Sequence, residues 1–498
     1  MIDILDVTLP TICFIISALL TIPIIGQIRK NQPNAIILST IWLIGVFGIV
    51  ALAVTNLALK FYSLPLPRPF LELSWGIGIL SIFSSSFLVD AISVYMVIIF
   101  AIVGMLVLFF CLFYIEPKNQ FSERYYSLIL LVTGCLIGTA LSGDFLTLFI
   151  FWEAAAVGSS LLIIYAKNPL SLHATLKYLI MITIASAFIV YGISIVFGLS
   201  GTLNFWAVKQ VLIGLEDKSI LLLAFTFIAA GFAIEAAIVP FHMWLPDAYK
   251  AAPSSSSAFL SALVDQGSYY ILLRVLIYIL TPFMVLNWTF MLAIFAVLTM
   301  VVGNLRALTQ TNVKYLITYI CIADIGYNLI AITSVDVFGI MGNLFFFLIG
   351  GISTALCFMV VGILNRMGFE TLEDFSGLGR KLPLTSFCLS IGLLSFAGIP
   401  PLAGFFAKYL VFTAAIEANL IWLAIIGVSF SVIQSAYILR LLNKMYGGSP
   451  NSDFKINEPT RLLVPVFILA IGLIIIGLFP TIVLNLIEPV LQQLPYIP

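Results

Sequence analysis

Uninterrupted apolar runs of about 17–25 residues, the length that crosses a bilayer as a helix, recur from one end of the chain to the other. They fall near residues 8–28, 35–59, 90–115, 125–142, 145–166, 171–198, 219–246, 255–279, 281–302, 314–333, 338–364, 384–416, 418–442 and 462–487. The pattern predicts an all-α polytopic membrane protein with about 14 transmembrane helices. The first run lacks a basic flank and a cleavage site, so it reads as a retained span. Residues 61–89 interrupt the pattern with Pro65, Pro67 and Pro69 followed by SIFSSSF. They predict an ordered external loop or hairpin, not a span.

Polar residues test this map. Lys and Arg crowd the odd-numbered loops, from Arg29 and Lys30 through Arg306 and Arg366 to Arg461, whereas the even-numbered loops hold only Lys60, Arg68, Lys209 and Lys218. Basic residues collect on the cytoplasmic side, so both termini are expected to face outward. Lys177, Arg274 and Lys408 fall inside spans and require partners there.

Two spans are broken by proline. GFAIEAAIVPFHMWLPDAY, residues 231–249, carries Glu235 at its centre and then Pro240; GIPPLAGFFAK, residues 398–408, carries Pro400 and Pro401 and then Lys408. Proline removes a backbone hydrogen bond that lipid cannot replace, and an ionised side chain at mid-membrane costs about 2.5–3.5 kcal/mol on insertion scales. Both segments must therefore face protein or water. They are the seventh and twelfth spans, five apart, and so are entered from opposite sides, as two inverted five-helix repeats would give. The expected organisation is helices 1–3 with the external loop in 1–124, one repeat in 125–280, its inverted partner in 281–446, and a cytoplasmic loop with a last helix in 447–498.

Composition narrows the class further. The 498 residues are 62% hydrophobic and 9% charged, against about 25% charged in a soluble globule. A formal net charge of zero argues against nucleic acid as a partner. The six cysteines stand singly in apolar runs without metal or cluster spacing, and His173 and His242 sit near helix ends or breaks, a poor basis for a haem pair. No cofactor, metal or catalytic residue is expected.

The strings SGDFLTLFIFWE (142–153), VPFHMWLPDAY (239–249), NLRALTQTNVKYLITYICIADIGY (304–327) and GLGRKLPLTSFCLSIGLLSFAGIPPLAGFFAKYL (377–410) resemble the antiporter-like subunits of respiratory complex I, Mrp-type sodium/proton antiporters and energy-converting hydrogenases. The resemblance spans nearly the whole chain. It implies a fourteen-helix fold with two inverted five-helix repeats, other membrane subunits of a respiratory, hydrogenase-type or Mrp-type complex as partners, and proton passage along a row of buried ionisable groups. It also implies an energy-coupling membrane, either a prokaryotic cell membrane or an organellar one. Glu153, Lys177 and Lys408 match the family's ionisable positions. At other positions the chain departs from it: Glu235 stands where a lysine is usual, Asp265 or Gln266 where a basic residue is usual, Asp324 in place of a frequent histidine, and Gly350 and Thr354 in place of a histidine and a lysine.

The helical rise places Glu153 about 12 Å and Glu235 about 24 Å from the outer ends of their spans, and Asp265 about 15 Å from an inner end. Lys177 lies about 9 Å from the inner side, and Lys408 lies towards the outer side. The expected pathway is thus Glu153, Lys177, Glu235, Asp265 and Lys408, with His242, Asp247, Lys314 and Asp324 as accessories and Pro240, Pro400 and Pro401 as breaks. Glu153 and Glu235 are expected to meet and hold a proton between them, with Lys177 as counter-ion. Sodium is the rival ion, since carboxylates with hydroxyls such as Ser261 or Thr183 supply hard oxygen ligands. A non-conducting structural subunit and a carrier for a small organic solute are the readings from other classes.

Overall fold

A computed structural model describes residues 2–30, 35–64, 71–75, 85–117, 119–215, 219–280, 288–448 and 457–493. The chain opens with α1 (Ile4–Lys30) and α2 (Ala35–Tyr62), followed by an antiparallel pair, β1 (Leu71–Trp75) and β2 (Ser85–Val89). The expected hairpin is therefore present, while Pro65, Pro67, Pro69 and Ser81 to Ser84 lie outside the described residues, as do Arg68, Lys118, Lys218 and Lys455.

Helices α3 (Ala91–Tyr114), α4 (Ser122–Ala140), α5 (Phe145–Ile164) and α6 (Pro169–Ser200) come next. The starts of α3, α5 and α6 are written into the sequence. Asp90, Asp144 and Asn168 each accept a hydrogen bond from the backbone N–H three residues on, at Ser93, Thr147 and Ser171. Such caps satisfy donors that a helix leaves unpaired at its N-terminus. A short helix, α7 (Phe205–Ile213), occupies what reads as a loop in sequence; nine residues are too few for a span signal.

Helix α8 (Ser219–Glu235) stops at the acid itself. A 3-10 turn, Phe241–Trp244, and α9 (Leu245–Ala251) then continue the segment. Residues 254–280 are one helical run made of α10 (Ser254–Phe259), α11 (Asp265–Leu272) and two π-helical stretches, Leu260–Val264 and Leu273–Leu280. Helices α12 (Trp288–Thr309), α13 (Val313–Ser334) and α14 (Val337–Arg366) follow, then the four-residue α15 (Leu378–Lys381). The second broken segment is α16 (Pro383–Ala397) and α17 (Ala403–Glu417), separated at residues 398–402. The chain ends in α18 (Ile421–Gly447), α19 (Thr460–Leu478) and α20 (Thr481–Gln492).

Among the described residues, ten helices are long and apolar enough to cross a membrane: α1, α2, α3, α5, α6, α12, α13, α14, α18 and α19. Four of the segments read as spans from the sequence fall outside that set for identifiable reasons. Two are cut by the proline breaks, a third is divided by π-helical stretches, and α4 begins with the polar SERYYS. The run 462–487, expected as one span, is two helices, because the chain turns at Phe479 and Pro480 between α19 and α20.

Helices α13 and α14 are almost wholly buried, whereas α2, α6 and α18 present most of their apolar surface outward. The buried pair thus forms the centre against which both broken helices pack. A second buried tie joins distant parts of the chain. Arg274 Nη1 lies 2.5 Å from Asp90 Oδ2, with both side chains at most 2% exposed, and Gln493 Oε1 accepts the Ala91 N–H at 2.7 Å. The partner sought for Arg274 within the membrane is the cap of α3.

Candidate functional site

The two breaks are built from sequence upward. Beyond Glu235 the backbone leaves the α-helical path, and its polar groups are taken up by side chains from neighbouring elements. Trp244 Nε1 donates to Ile234 O at 2.9 Å, Tyr269 Oη to Ala236 O at 3.3 Å, and the Val239 N–H to Thr299 Oγ1 at 3.2 Å. Buried backbone groups at membrane depth need such substitutes. In the second segment Gly398 ends α16 with φ 71°, a conformation that favours glycine, and a Cβ there would lie 3.0 Å from Lys408 Cδ. The glycine leaves room for the lysine stem to run back along the break.

Glu235 is buried. Its Oε2 accepts the indole N–H of Trp152, and its Oε1 has no hydrogen-bond partner among the described residues. A cavity with room for about one water lies beside it, walled by Trp152, Tyr178, Ile234 and Trp244. The end of a helix is the negative end of its dipole, an unfavourable place for a carboxylate. Glu153, nine residues into α5 from its Asp144 cap, is half-buried and accepts from Ser186 Oγ on α6 at 2.5 Å.

The expected meeting of the two acids is therefore indirect. Trp152 and Ser186 hold one each, and among the described residues no hydrogen bond joins Glu153 to Glu235. The expected counter-ion is corrected as well: Lys177 Nζ lies 2.6 Å from Asp247 Oδ2, an ion pair between α6 and α9, with both side chains partly exposed. The reason is geometric, since the break lays α9 across α6 and brings Asp247 to the lysine. His242 sits on the 3-10 turn, and its Nδ1 is buried. Lys314 is buried and donates to Ala252 O at 2.6 Å and Lys250 O at 3.3 Å, placing a cation at the carbonyl end of α9.

The remaining ionisable groups converge. Tyr249 Oη donates to Asp265 Oδ2 at 2.5 Å, tying α9 to α11. A small polar cavity next to it runs from Asp265 and Gln266 to Asp324 on α13, and a second cavity sharing the walls Asp324, Phe346 and Gly350 reaches Lys408. Asp324 then accepts from Gln434 Nε2 at 3.3 Å, while Lys408 Nζ donates to Gln434 Oε1 at 2.6 Å and to Ser431 Oγ at 3.0 Å. The Lys408 ammonium also sits 4.5 Å from the Tyr327 ring centroid, a cation–π contact. Asp265, Asp324, Gln434 and Lys408 thus form one buried polar row through the interior. Asp324, placed among the accessories from sequence, stands at its middle.

Gln434, Ser431, Tyr249, Trp152 and Ser186 escape the sequence reading. A signal for two of them exists: Ser431, Gln434 and Ser435 recur at i, i+3 and i+4 in an otherwise apolar span, a polar stripe along one face of α18. Gly350 and Thr354, noted as departures, line the Asp265–Asp324 cavity.

The sequence profile of the family described as NADH:quinone oxidoreductase/Mrp antiporter, TM matches residues 142–434, the stretch that carries both breaks and the whole polar row. The NADH-quinone oxidoreductase subunit N of Moorella thermoacetica is 33% identical over 398 residues, covering 79% of this chain and 83% of that protein. The F(420)H(2) dehydrogenase subunit N of Methanosarcina mazei is 30% identical over 412 residues, covering 80% of this chain and 83% of that protein. Among solved structures, a chain of the membrane-bound sulfane sulfur reductase, an archaeal respiratory membrane complex, superposes with a TM-score of 0.85 at 25% identity, covering 97% of each chain. A chain of the Mrp complex from Dietzia sp. does so at 0.85 and 21% identity, covering 99% of this chain and 98% of the other. The profile match and the curated relatives lead to one conclusion: the chain belongs to the NADH:quinone oxidoreductase/Mrp antiporter transmembrane family.

Proposed function

We propose that this chain is a proton-translocating, antiporter-like subunit of a multi-subunit membrane complex, of the respiratory or Mrp type in which its relatives and structural neighbours are found. The observation that carries the reading is the buried row Asp265, Asp324, Gln434 and Lys408, held by hydrogen bonds and flanked by water-sized cavities. Charges are retained at membrane depth only where they have work to do or are firmly paired.

In this reading fourteen spans are arranged as two inverted repeats, residues 125–280 and 281–446, between an N-terminal unit of 1–124 and a C-terminal unit of 447–498, with both termini outside. The proline breaks, in α8–α9 and α16–α17, are the corresponding elements of the two repeats. Each carries one of the row's outlying charges, Glu235 before the first break and Lys408 after the second.

The chemistry follows from the contacts. The Gln434 amide passes no proton readily, but it couples Lys408 to Asp324: it accepts from one and donates to the other, so a change of charge at either is felt across it. Protons move instead through the cavities that join Asp324 to Asp265 and Lys408, each with space for about a single water. Tyr249 connects Asp265 to α9, and Tyr269 connects the cavity wall to the carbonyl of Ala236, beside Glu235. Glu235 and Glu153 continue the row towards α6, where the partly exposed Lys177–Asp247 pair closes it. Glu235 answers to neither basic residue that could have neutralised it, since Lys177 and Arg274 are both paired elsewhere. A titrating role for Glu235 is favoured accordingly over a register-fixing ion pair.

The test is Glu235→Gln in the assembled complex reconstituted into vesicles. Proton transport is expected to fall about tenfold or more, equivalent to about 1.4 kcal/mol of barrier, with complex assembly retained; Glu235→Lys is expected to keep transport. Unimpaired transport in the glutamine variant would reduce Glu235 to packing.

A further inference from the structure

The second break is met from outside by a helix that adds nothing to the polar row. Helix α19 packs against α14, α16 and α17, and it lies beyond residues 142–434, the stretch that matches the family profile. It touches the break at Gly477, which is buried. A Cβ there would lie 2.6 Å from Leu402 C and 2.7 Å from Ala403 N, and closer still to Pro401 O, whereas ordinary contact begins near 3.4 Å. All three are backbone atoms, so no side chain can swing aside to make room. Small residues give membrane helices this kind of approach. The glycine's Cα hydrogen, standing where the Cβ would, points at the Pro401 carbonyl in a weak Cα–H···O contact.

Helix α19 is held at both ends. Before its start, Glu458 Oε1 accepts the Thr385 N–H at 2.9 Å and the Thr385 hydroxyl at 3.1 Å, in the first turn of α16. Past its end, α20 buries Val483, Ile487 and Val490, Tyr62 Oη donates to Leu486 O at 3.2 Å, and Gln493 ties to the start of α3. The helix therefore cannot retreat freely, and a displacement at the contact falls on the break. Ala403, one of the residues touched, is the first of α17, so a shift there is carried along that helix to Lys408. We infer that Gly477 is a positioning residue for Lys408, and that α19 is the brace that sets where the lysine ammonium stands in the row. The tolerance is narrow. A methyl at Gly477 parts brace and break by about 1 Å, and the Lys408–Gln434 bond of 2.6 Å ceases to be a hydrogen bond when lengthened by that much. The inference deepens the transport reading and rests on it for the lysine's role.

The test compares Gly477→Ala with Gly472→Ala in the assembled complex reconstituted into vesicles. Gly472 lies on the same helix with nothing within 4 Å of an added Cβ, so its alanine controls for the substitution itself. Two quantities are read: proton transport, and the rate of reductive methylation of the Lys408 amine, followed by mass spectrometry with the buried Lys314 as internal reference. Gly477→Ala is expected to lower transport about tenfold or more and to raise methylation of Lys408 about tenfold relative to Lys314; Gly472→Ala is expected to change neither. A general loosening of the subunit would expose Lys314 as well. Methylation that rises equally at both lysines therefore overturns the positioning role, as does wild-type methylation of Lys408 in Gly477→Ala. Should Gly477→Ala fail to assemble, Glu458→Ala decides, since it frees the inner end of α19 without adding bulk: selective methylation of Lys408 upholds the role, and unchanged methylation overturns it. Transport separates the two readings. Selective methylation with full transport in both Gly477→Ala and Lys408→Met upholds the brace and overturns the lysine's part in transport. Transport lost in Lys408→Met, with Gly477→Ala like wild type in both measurements, overturns the brace alone.

Discussion

Lys408 keeps its charge inside the protein through three neighbours: the Gln434 carbonyl, the Ser431 hydroxyl and the face of Tyr327. Gln434 is the critical one because it also donates to Asp324. Replacing it with leucine strips a charge-assisted hydrogen bond from the lysine and a donor from the carboxylate. Gln434→Leu is therefore expected to destabilise the subunit by about 1.5–3 kcal/mol, read as a lower thermal midpoint of the assembled complex, and to depress transport to the level of Lys408→Met. Transport at wild-type rate in Gln434→Leu would remove the amide from the row. At this scale the sequence told which charges were expensive but not whom they faced. Glu153, Glu235, Asp265, Asp324 and Lys408 stand out because lipid penalises them. That Lys177 pairs with Asp247 and Arg274 with Asp90 depends on how elements 70 and 184 residues apart come together, which no local pattern encodes.

Most helices were legible as apolar runs, and both breaks were legible as prolines, because hydropathy and the missing proline N–H act locally. The elements that were not legible arise from crowding or contact. Helix α7 is too short for a span signal, and the π-helical stretches on either side of α11 follow its packing inside the bundle. The closeness of the broken halves is a further example. A Cβ on Gly404 would lie 1.8 Å from Ser395 O, so α17 crosses α16 at a distance only glycine permits. Gly404→Ala must push the halves apart. It is expected to cost at least about 1–3 kcal/mol through overpacking and to disturb Lys408 one turn away, measured as reduced thermal stability together with reduced transport. A fully active, equally stable alanine variant would mean that the break yields without consequence.

Across the whole molecule, the Asp90–Arg274 pair joins the start of α3 to the end of the run 254–280, and Gln493 ties the residue after α20 to the same place. Removing one partner from a buried ion pair strands the other. Asp90→Ala is expected to destabilise the fold by about 3–5 kcal/mol, seen as poor recovery of the intact complex, while the transport of whatever assembles stays near normal. Loss of transport in well-assembled material would instead place Asp90 in the conducting path. The same tie bears on how the chain is made. Asp90 leaves the ribosome 184 residues before Arg274, and its neighbour Ala91 leaves 402 residues before the Gln493 that secures it. In that interval the capping bonds of Asp90 to the Ser93 N–H and hydroxyl are local and can form at once. The carboxylate is therefore only half satisfied, and α3 lacks its buried ion-pair partner until more than half of the protein has been synthesised. A nascent chain stopped short of residue 274 should accordingly hold α3 within reach of water, accessible to a charged thiol reagent at an engineered cysteine in place of Ala91, and one extended beyond it should not.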